Sequence, residues 1–320
     1  MSVLVLRALG IGDLATAVPA LRGLRAARPT EEIVLAAPAW LAPLAELTGT
    51  VDRLVPVPGL SAPGIPVPPP RLAVNLHGRG PASHRLLART GPERMLAFAC
   101  PDAGFPDGPQ WTPDEHEVRR WCRMLAWYRI IAVPSDLMLH RPAVPPVACG
   151  VTIVHPGAKD PGRRWPAARY AEVAHRLHHA GHHVVVTGSP TEARLAGQVA
   201  ELAGLPPGRV LAGRTDVGGL AALVAHARLV VCGDTGIAHL ATGYRTPSVL
   251  LFGPTPPSLW GPLIDLDRHR VLWHGDRIAA RTGWRRPHPA LAAIPVDEVL
   301  AAVVDLANSD VAARVDATAS

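Results

Sequence analysis

The pattern that most constrains the fold is an alternation of short apolar strands and helices through the first 60 residues. Strands are predicted at 3–6, 33–36 and 51–57, and helices at 14–28 and 40–47. Pro19 lies inside the first helix and is expected to kink it or to mark its first turn. Strand–helix–strand repetition of this kind predicts a doubly wound parallel sheet.

The same alternation starts again after a proline-rich stretch at 133–149, which is the best candidate for a domain linker. Beyond it, strands are predicted at 150–154, 183–187, 229–232 and 248–252, with helices at 167–180, 191–203, 217–225, 234–243 and 295–307. We therefore predict two Rossmann-like α/β domains, 1–145 and 146–295, followed by a terminal helix and tail at 296–320. A ligand cleft is expected between the domains, at the carboxyl ends of the strands.

Composition narrows the class of protein. Hydrophobic residues make up 48% and charged residues 18%, which supplies a core and argues against disorder. The longest apolar stretch, 33–47, contains two prolines and Glu46, so no spanning helix is predicted. The N-terminus lacks the basic region of a signal peptide, and a cytoplasmic protein is expected. The four cysteines form no CxxC pair, which argues against a zinc ribbon or a disulfide framework.

The net charge of +6 comes from dispersed arginines, with Lys159 the single lysine of the sequence. No basic run carries interleaved aromatic residues, so a nucleic-acid partner is not predicted. At most, we expect peripheral contact with a membrane surface.

The turn after the first strand, at 10–15, matches the pattern G-x-G-x-x-A of dinucleotide-binding proteins. That fingerprint requires an acidic residue at the end of the second strand, where this chain has Ala36, Ala37 and Pro38, so an NAD site is disfavoured. Asp13 remains as a carboxylate at a tight turn. It either caps the helix or acts as a general base, and the residues alone leave both roles open.

The segment 230–239 carries the strongest local signal. A buried strand is followed by Gly233, Asp234, Thr235 and Gly236 at a helix start, where free amides and the helix dipole favour a diphosphate. The alternative is an ordinary N-cap, which explains the flanking glycines less well. His239 lies along the same helix and faces either the loop or the core.

Two further groups of basic residues have competing interpretations. The loop at 155–166 holds Lys159, Arg163 and Arg164, which either bind phosphate oxygens or form a solvated surface. His175 and His179 have a spacing that permits metal binding, but they end an exposed helix without a nearby acid, so no metal site is predicted. The sequence has no G-x-S-x-G, Walker A or H-E-x-x-H motif.

Taken together, the motifs resemble glycosyltransferase family 9, the lipopolysaccharide heptosyltransferase family, over nearly the whole chain. The most specific match runs from Asp234-Thr235-Gly236-Ile237-Ala238-His239 to Phe252-Gly253-Pro254-Thr255. Supporting matches are Gly12-Asp13, Pro19-Ala20-Leu21, His155-Pro156-Gly157, Arg164-Trp165-Pro166, Gly188-Ser189-Pro190-Thr191-Glu192 and Ile294-Pro295-Val296.

The resemblance implies a GT-B fold and an inverting, metal-independent transfer of a sugar from a nucleotide-diphospho-sugar, usually ADP-heptose, without a cofactor. It implies that Asp13 is the base, that Lys159 or Arg163 stabilises the leaving diphosphate, and that Glu192 holds the ribose. The donor would also be bound by Gly12, by His239, and by the amides of Asp234, Thr235 and Gly236.

The sequence departs from the family pattern at Thr16, where lipopolysaccharide members often carry histidine. The choice of key basic residue among Lys159, Arg163 and Arg164 stays open. The acceptor would be a glycan, a lipid-linked sugar or a small natural product. Two alternatives are a nucleotide-sugar epimerase of the same fold and a catalytically silent nucleotide-sugar-binding protein.

Overall fold

A computed structural model describes residues 2–275 and 287–318, with side chains described as far as Ser309. The chain divides into two compact units, Met1–His140 and Arg141–Ser320. The division falls within the proline-rich stretch at 133–149. Each unit contains one five-stranded sheet in which all the neighbouring strands are parallel.

The first unit has the strand order β3-β2-β1-β4-β5. Its strands are β1 (Ser2–Leu6), β2 (Glu32–Ala37), β3 (Arg53–Pro56), β4 (Leu72–Asn75) and β5 (Arg94–Leu96). Its helices are α1 (Ile11–Thr16), α2 (Val18–Ala27), α3 (Ala42–Leu47), α4 (Ala82–Ala88) and α5 (Glu117–Trp127). The central strand β1 pairs with β2 and β4, and Val3 to Leu6 are at most 1% exposed, as expected for a strand covered on both faces.

Pro19 explains why the first predicted helix is divided. The break falls at Ala17, between α1 and α2, and Pro19 occupies the first turn of α2, where its missing amide costs no hydrogen bond. The predicted helix at 40–47 is likewise a short 3-10 helix, Ala39–Leu41, followed by α3. The short elements α4 and β5 were not predicted, because seven and three residues give too weak a periodic signal.

The second unit has the strand order β10-β9-β8-β6-β7. Its strands are β6 (Thr152–His155), β7 (Val184–Val186), β8 (Leu229–Gly233), β9 (Ser248–Phe252) and β10 (His269–Trp273). Its helices are α6 (Ala167–His179), α7 (Ala193–Leu202), α8 (Val217–Ala225), α9 (Gly236–Tyr244), α10 (Pro257–Trp260), α11 (Pro289–Ala292) and α12 (Val296–Thr318). The predicted strands and helices of this half are all present. The edge strand β10 was not predicted, and α12 continues beyond residue 307, where the sequence predicted its end.

The order of the strands indicates where each sheet is expected to bind a ligand. The strand order reverses between β1 and β4 in the first unit and between β6 and β8 in the second. Open parallel sheets bind ligands beside such a reversal, at the carboxyl ends of the strands.

The prediction of two parallel α/β sheets is confirmed. Within the part of the chain that is described, none of the helices is both long enough and apolar enough to cross a membrane.

Candidate functional site

Asp13 lies in the first turn of α1, which follows the carboxyl end of β1. Its Oδ2 accepts a hydrogen bond of 3.0 Å from the amide of Gly10, so the carboxylate closes the turn that the glycine opens. The side chain is 29% exposed, which leaves it accessible to a ligand. Because this carboxylate occupies the helix start where a dinucleotide would place its pyrophosphate, the geometry disfavours an NAD site here.

The buried side chain of Arg7 holds this turn by contacts with Asp13 and Leu76. The residue directly follows β1, and its side chain is 1% exposed. Its Nε donates to the carbonyl of Asp13 at 2.9 Å, Nη1 donates to the carbonyl of Leu76, and Nη2 lies 3.7 Å from Oδ1 of Asp13. Arg7 therefore joins the ends of β1 and β4 and fixes the backbone that carries Asp13.

A buried ion network neutralises Arg7. Nη2 of Arg7 donates to Oε1 of Glu117 at 2.8 Å, and Arg120 donates to the other carboxylate oxygen. Trp121 donates its indole N–H to Glu117 at 2.8 Å and lies 4.9 Å below the Arg7 guanidinium. Burial alone raises the pKa of Glu117, but the charges of Arg7 and Arg120 outweigh it and hold that pKa below its usual value. Glu117 is thus an anion buried between two cations.

His77 lies at the carboxyl end of β4, on the other side of the strand-order reversal. Its Nδ1 accepts a hydrogen bond of 3.2 Å from the amide of Ala8, in the turn that leads to Asp13. Burial lowers the pKa of His77 to about 4, the charge of Arg7 acts in the same direction, and Asp13 opposes it. The ring is therefore neutral near pH 7.

In the second unit, Arg163 and Asp234 are brought together from two neighbouring strands. Arg163 follows β6 in a short 3-10 helix, Pro161–Arg163, which Asp160 caps by accepting from the amide of Gly162 at 2.8 Å. Its Nη2 donates to the backbone carbonyl of Asp234 at 2.8 Å and to the carboxylate of the same residue. Asp234 is 5% exposed and directly follows β8.

The start of α9 is built as the sequence predicted, with one correction. Thr235 is the N-cap residue, and the first amides of the helix have no partner inside it. The amide of Asp234, by contrast, donates to the carbonyl of Leu251 in β9 at 3.1 Å. It is therefore not available to a diphosphate, because it continues the pairing of β8 with β9 beyond the end of the strand.

Glu192 is held at the carboxyl end of β7. Its Oε2 accepts from the amide and from the hydroxyl of Ser189, both at 2.8 Å, in a capping box. Gly157 approaches so closely that a Cβ at this position would lie 2.3 Å from Oε1 of Glu192. His155 bonds Thr187 at 2.9 Å in the same region, and burial lowers its pKa.

The other residues that the sequence predicted for the site differ in exposure and in the unit that contains them. Lys159 is exposed, and Nε of Arg164 donates to the carbonyl of Ala158 at 2.8 Å, so Arg164 shapes the loop. His239 is half-buried, with its ring 5.7 Å from that of Trp260. Gly12 lies in α1 beside Asp13, in the first unit, whereas the other predicted donor-binding residues lie in the second.

The histidine cluster at the end of α6 contains no assembled metal site. The rings of His175 and His179 are 4.3 Å apart, but Nδ1 of His175 lies 3.1 Å from the carbonyl of Ala203. Across the described ranges 2–275 and 287–318, no group of three or more histidine, cysteine or acidic side chains is placed to hold a metal ion.

Sequence reasoning did not identify Arg7, Glu117 or His77 as part of the site. Glu117 is 110 positions from Arg7 along the chain, and nothing local to either residue indicates the pairing. The available signal was an arginine directly after an apolar strand, a position that is usually buried. The histidine after β4 gave a similar signal, because its strand neighbours β1 in a doubly wound sheet.

Comparison with known proteins agrees with the motifs. Residues 137–279 match the family described as glycosyltransferase family 9 (heptosyltransferase). The chain is 32% identical to lipopolysaccharide heptosyltransferase 3 of Escherichia coli over 161 residues, 49% of this chain and 47% of that protein. It is 26% identical to lipopolysaccharide heptosyltransferase 2 of Escherichia coli (strain K12) over 304 residues, 82% of this chain and 86% of that protein. The alignment thus spans about half the length of the first relative and most of the second.

A solved structure has the same fold. The structure of Escherichia coli ADP-heptose lipopolysaccharide heptosyltransferase II superposes with a TM-score of 0.76 at 22% identity, covering 97% of this chain and 100% of that chain. The resemblance predicted from the motifs is confirmed, and so is the GT-B fold.

Proposed function

We propose that the chain is a member of glycosyltransferase family 9 and that it transfers a heptose from an ADP-sugar to a hydroxyl group of an acceptor, with inversion and without a metal ion. The names of its relatives support heptose as the sugar and a glycan of the lipopolysaccharide type as the acceptor. The name of the solved structure supports ADP as the nucleotide of the donor.

The observation that carries the proposal is a pair of buried polar atoms at the start of α9. The hydroxyl of Thr235 and Nε of Arg163 are buried and have no hydrogen-bond partner among the described residues. A buried polar group without a partner costs about 1–3 kcal/mol, so a ligand that supplies a partner would recover this free energy. Both atoms are donors, and both lie beside a helix N-terminus at the carboxyl ends of β6 and β8. An anion there would satisfy both, and the diphosphate of a nucleotide-sugar has the required charge.

The same donors suit the chemistry of leaving-group departure. When the bond between the sugar and the diphosphate breaks, negative charge accumulates on the departing phosphate oxygens. A guanidinium fixed by Asp234 and the first amides of α9 stabilise that charge without reorganising during the reaction. In this scheme Asp234 orients Arg163, and Lys159 supplies a second, mobile cation. A divalent metal is not required for this role.

Asp13 supplies the base. The hydrogen bond from Gly10 fixes Oδ2, and Oδ1, which lies 3.7 Å from Nη2 of Arg7, accepts the proton of the acceptor hydroxyl. Attack by that oxygen on the face of the sugar opposite the leaving diphosphate inverts the anomeric carbon. Glu192 is assigned to the ribose, because a carboxylate fixed by Ser189 can accept hydrogen bonds from a diol.

The test is a transfer assay that follows both stereochemistry and metal dependence. ADP-heptose is supplied with lipopolysaccharide from a heptose-deficient Escherichia coli strain as the acceptor probe, with and without EDTA. We expect release of ADP, a new glycosidic bond with the anomeric configuration opposite to that of the donor, and the same rate in EDTA. Retained configuration, or activity lost in EDTA, would contradict the proposal.

The same assay separates the two alternatives. A nucleotide-sugar epimerase would convert the donor when no acceptor is present. A silent binding protein would bind ADP-heptose stoichiometrically and release no ADP with any acceptor.

A further inference from the structure

His77 is outside every motif that carries the proposed function, yet it is attached to the same turn as Asp13. The amide of Ala8 donates to Nδ1 of His77, and the amide of Gly10 donates to Oδ2 of Asp13. Two residues of one turn thus orient both side chains. The turn connects β1 to α1, and His77 follows β4, the strand beside β1 at the point where the strand order reverses.

The hydrogen bond from Ala8 determines which nitrogen of His77 carries the proton. Because an amide N–H can only donate, Nδ1 must accept with its lone pair, and the proton of the neutral ring is therefore on Nε2. Burial, together with the charge of Arg7, keeps the ring neutral near pH 7. His77 is thus an uncharged N–H donor.

The backbone that carries the ring is held as well. The amide of His77 donates to Oδ1 of Asn75 at 3.0 Å, and Asn75 is completely buried. The side-chain nitrogen Nδ2 of Asn75 donates in turn to the hydroxyl of Ser83 at 2.9 Å. A partly buried imidazole fixed in this way loses little conformational freedom when it binds a ligand.

Nε2 of His77 forms no hydrogen bond with any residue that the structure describes, and the ring is partly exposed. The guanidinium of Arg7, although close to His77, is already paired with Glu117 and is not expected to attract an anionic ligand. The free donor beside Asp13 is therefore neutral, which suits a hydroxyl or ring oxygen better than a phosphate.

We propose that His77 binds the acceptor, its Nε2–H donating a hydrogen bond to an oxygen next to the hydroxyl that Asp13 deprotonates. The acceptor is accordingly a polyhydroxyl compound, a sugar, that offers two oxygens to this turn. The inference rests on the proposed function, because it takes Asp13 as the base. His77 is a positioning and specificity residue here, and it keeps its Nε2 proton throughout the reaction.

The first test examines the ring itself. Nitrogen-15 NMR of the full-length labelled chain, with His77→Gln to assign the signals, reports the protonation of each ring nitrogen at pH 7. We expect a neutral ring with the proton on Nε2. A proton on Nδ1, or a doubly protonated ring, would overturn the inference whatever the substrate is.

The second test separates acceptor binding from donor chemistry. The probes are ADP-heptose and lipopolysaccharide from a heptose-deficient strain, and the variants are His77→Gln and His77→Phe, with exposed Arg79→Ala as the control from the same loop. We expect the acceptor KM to rise about tenfold in both His77 variants, as for loss of one hydrogen bond to a ligand. The donor KM, and the slow release of ADP to water without acceptor, should not change.

An unchanged acceptor KM, or an equal loss of ADP release to water, would overturn the role of His77. Failure of the proposed function gives a different result, because the wild-type chain would then neither bind ADP nor release it from ADP-heptose.

Discussion

Arg163 donates two hydrogen bonds to Asp234, one to the backbone carbonyl of Asp234 and one to its carboxylate. These bonds join the loop after β6 to the carboxyl end of β8. Asp234 is 5% exposed, whereas the Arg163 side chain is 34% exposed. The buried carboxylate therefore fixes a cation that remains accessible. This relationship distinguishes Arg163 from Lys159, which is exposed, and from Arg164, whose Nε binds the carbonyl of Ala158.

We predict that Arg163→Ala reduces kcat for transfer by about 100-fold or more, the usual effect of removing one donor that stabilises developing charge. Lys159→Ala should reduce it less, because a mobile side chain is not held towards the diphosphate. Steady-state kinetics with ADP-heptose provide the measurement, and Arg194→Ala, also exposed in the second unit, is the control. A larger loss in Lys159→Ala than in Arg163→Ala would transfer the role to Lys159.

Asp13→Asn tests the assignment of the base. Asparagine keeps the size of the side chain and an oxygen that can accept from the amide of Gly10, so the turn is preserved. Transfer should nevertheless fall by about 10²–10⁴-fold, because the amide cannot take a proton. ADP affinity, measured by calorimetry, should not change. Full transfer activity in this variant would show that Asp13 only caps α1.

Gly157→Ala tests the assignment of the ribose site. The added Cβ would lie 2.3 Å from Oε1 of Glu192 and must displace a carboxylate that Ser189 holds. ADP affinity should fall about tenfold, equivalent to one hydrogen bond of about 1.4 kcal/mol. Affinity for inorganic diphosphate should be unaffected, since it has no ribose. Gly197→Ala is the matched control, because open space surrounds that helical position. Equal losses for ADP and for diphosphate would argue against Glu192 as the ribose ligand.

Glu117→Gln tests the buried network below Asp13. The substitution leaves Arg7, which is 1% exposed, without its anion, and breaking a buried pair in this way costs about 3–5 kcal/mol. Denaturant unfolding should show this loss. Glu115→Gln, which breaks the more exposed pair with Arg123, should cost about 1 kcal/mol or less. Similar losses in the two variants would contradict the role given to Glu117.

The same carboxylate predicts part of the pH dependence of stability. The pKa of Glu117 is lower in the folded chain than its ordinary value of 4.5, so the unfolded chain binds the proton first. The stabilisation is complete above pH 4.5 and is lost as the pH falls through the lower, folded-state pKa. Acid unfolding followed by circular dichroism should therefore be less steep below pH 4.5 in Glu117→Gln than in the wild-type chain. An identical acid profile would contradict the lowered pKa.

The sequence allowed the fold and the local motifs to be predicted, because both depend on residues close together in the chain. Pro19 marked the division between α1 and α2, and the glycines around Asp234 and Thr235 marked the start of α9. The amide of Asp234 was misassigned because its partner, Leu251, belongs to the next strand of the sheet. Arg7 with Glu117, and His77 with Ala8, meet only after β1, β4 and α5 have packed together. No spacing rule within one element indicates such contacts.

The start of α9 is proposed to bind the diphosphate of an ADP-sugar without a metal ion. Calorimetric titration of the wild-type chain, Thr235→Val and Thr242→Val with ADP, UDP, GDP and NAD, in EDTA, tests it most directly. We predict that the wild-type chain prefers ADP, that Thr235→Val weakens ADP binding by about tenfold, and that Thr242→Val, on the same helix, does not. Equal binding of ADP by Thr235→Val, binding abolished by EDTA, or a preference for NAD would contradict a metal-independent diphosphate site at the start of α9.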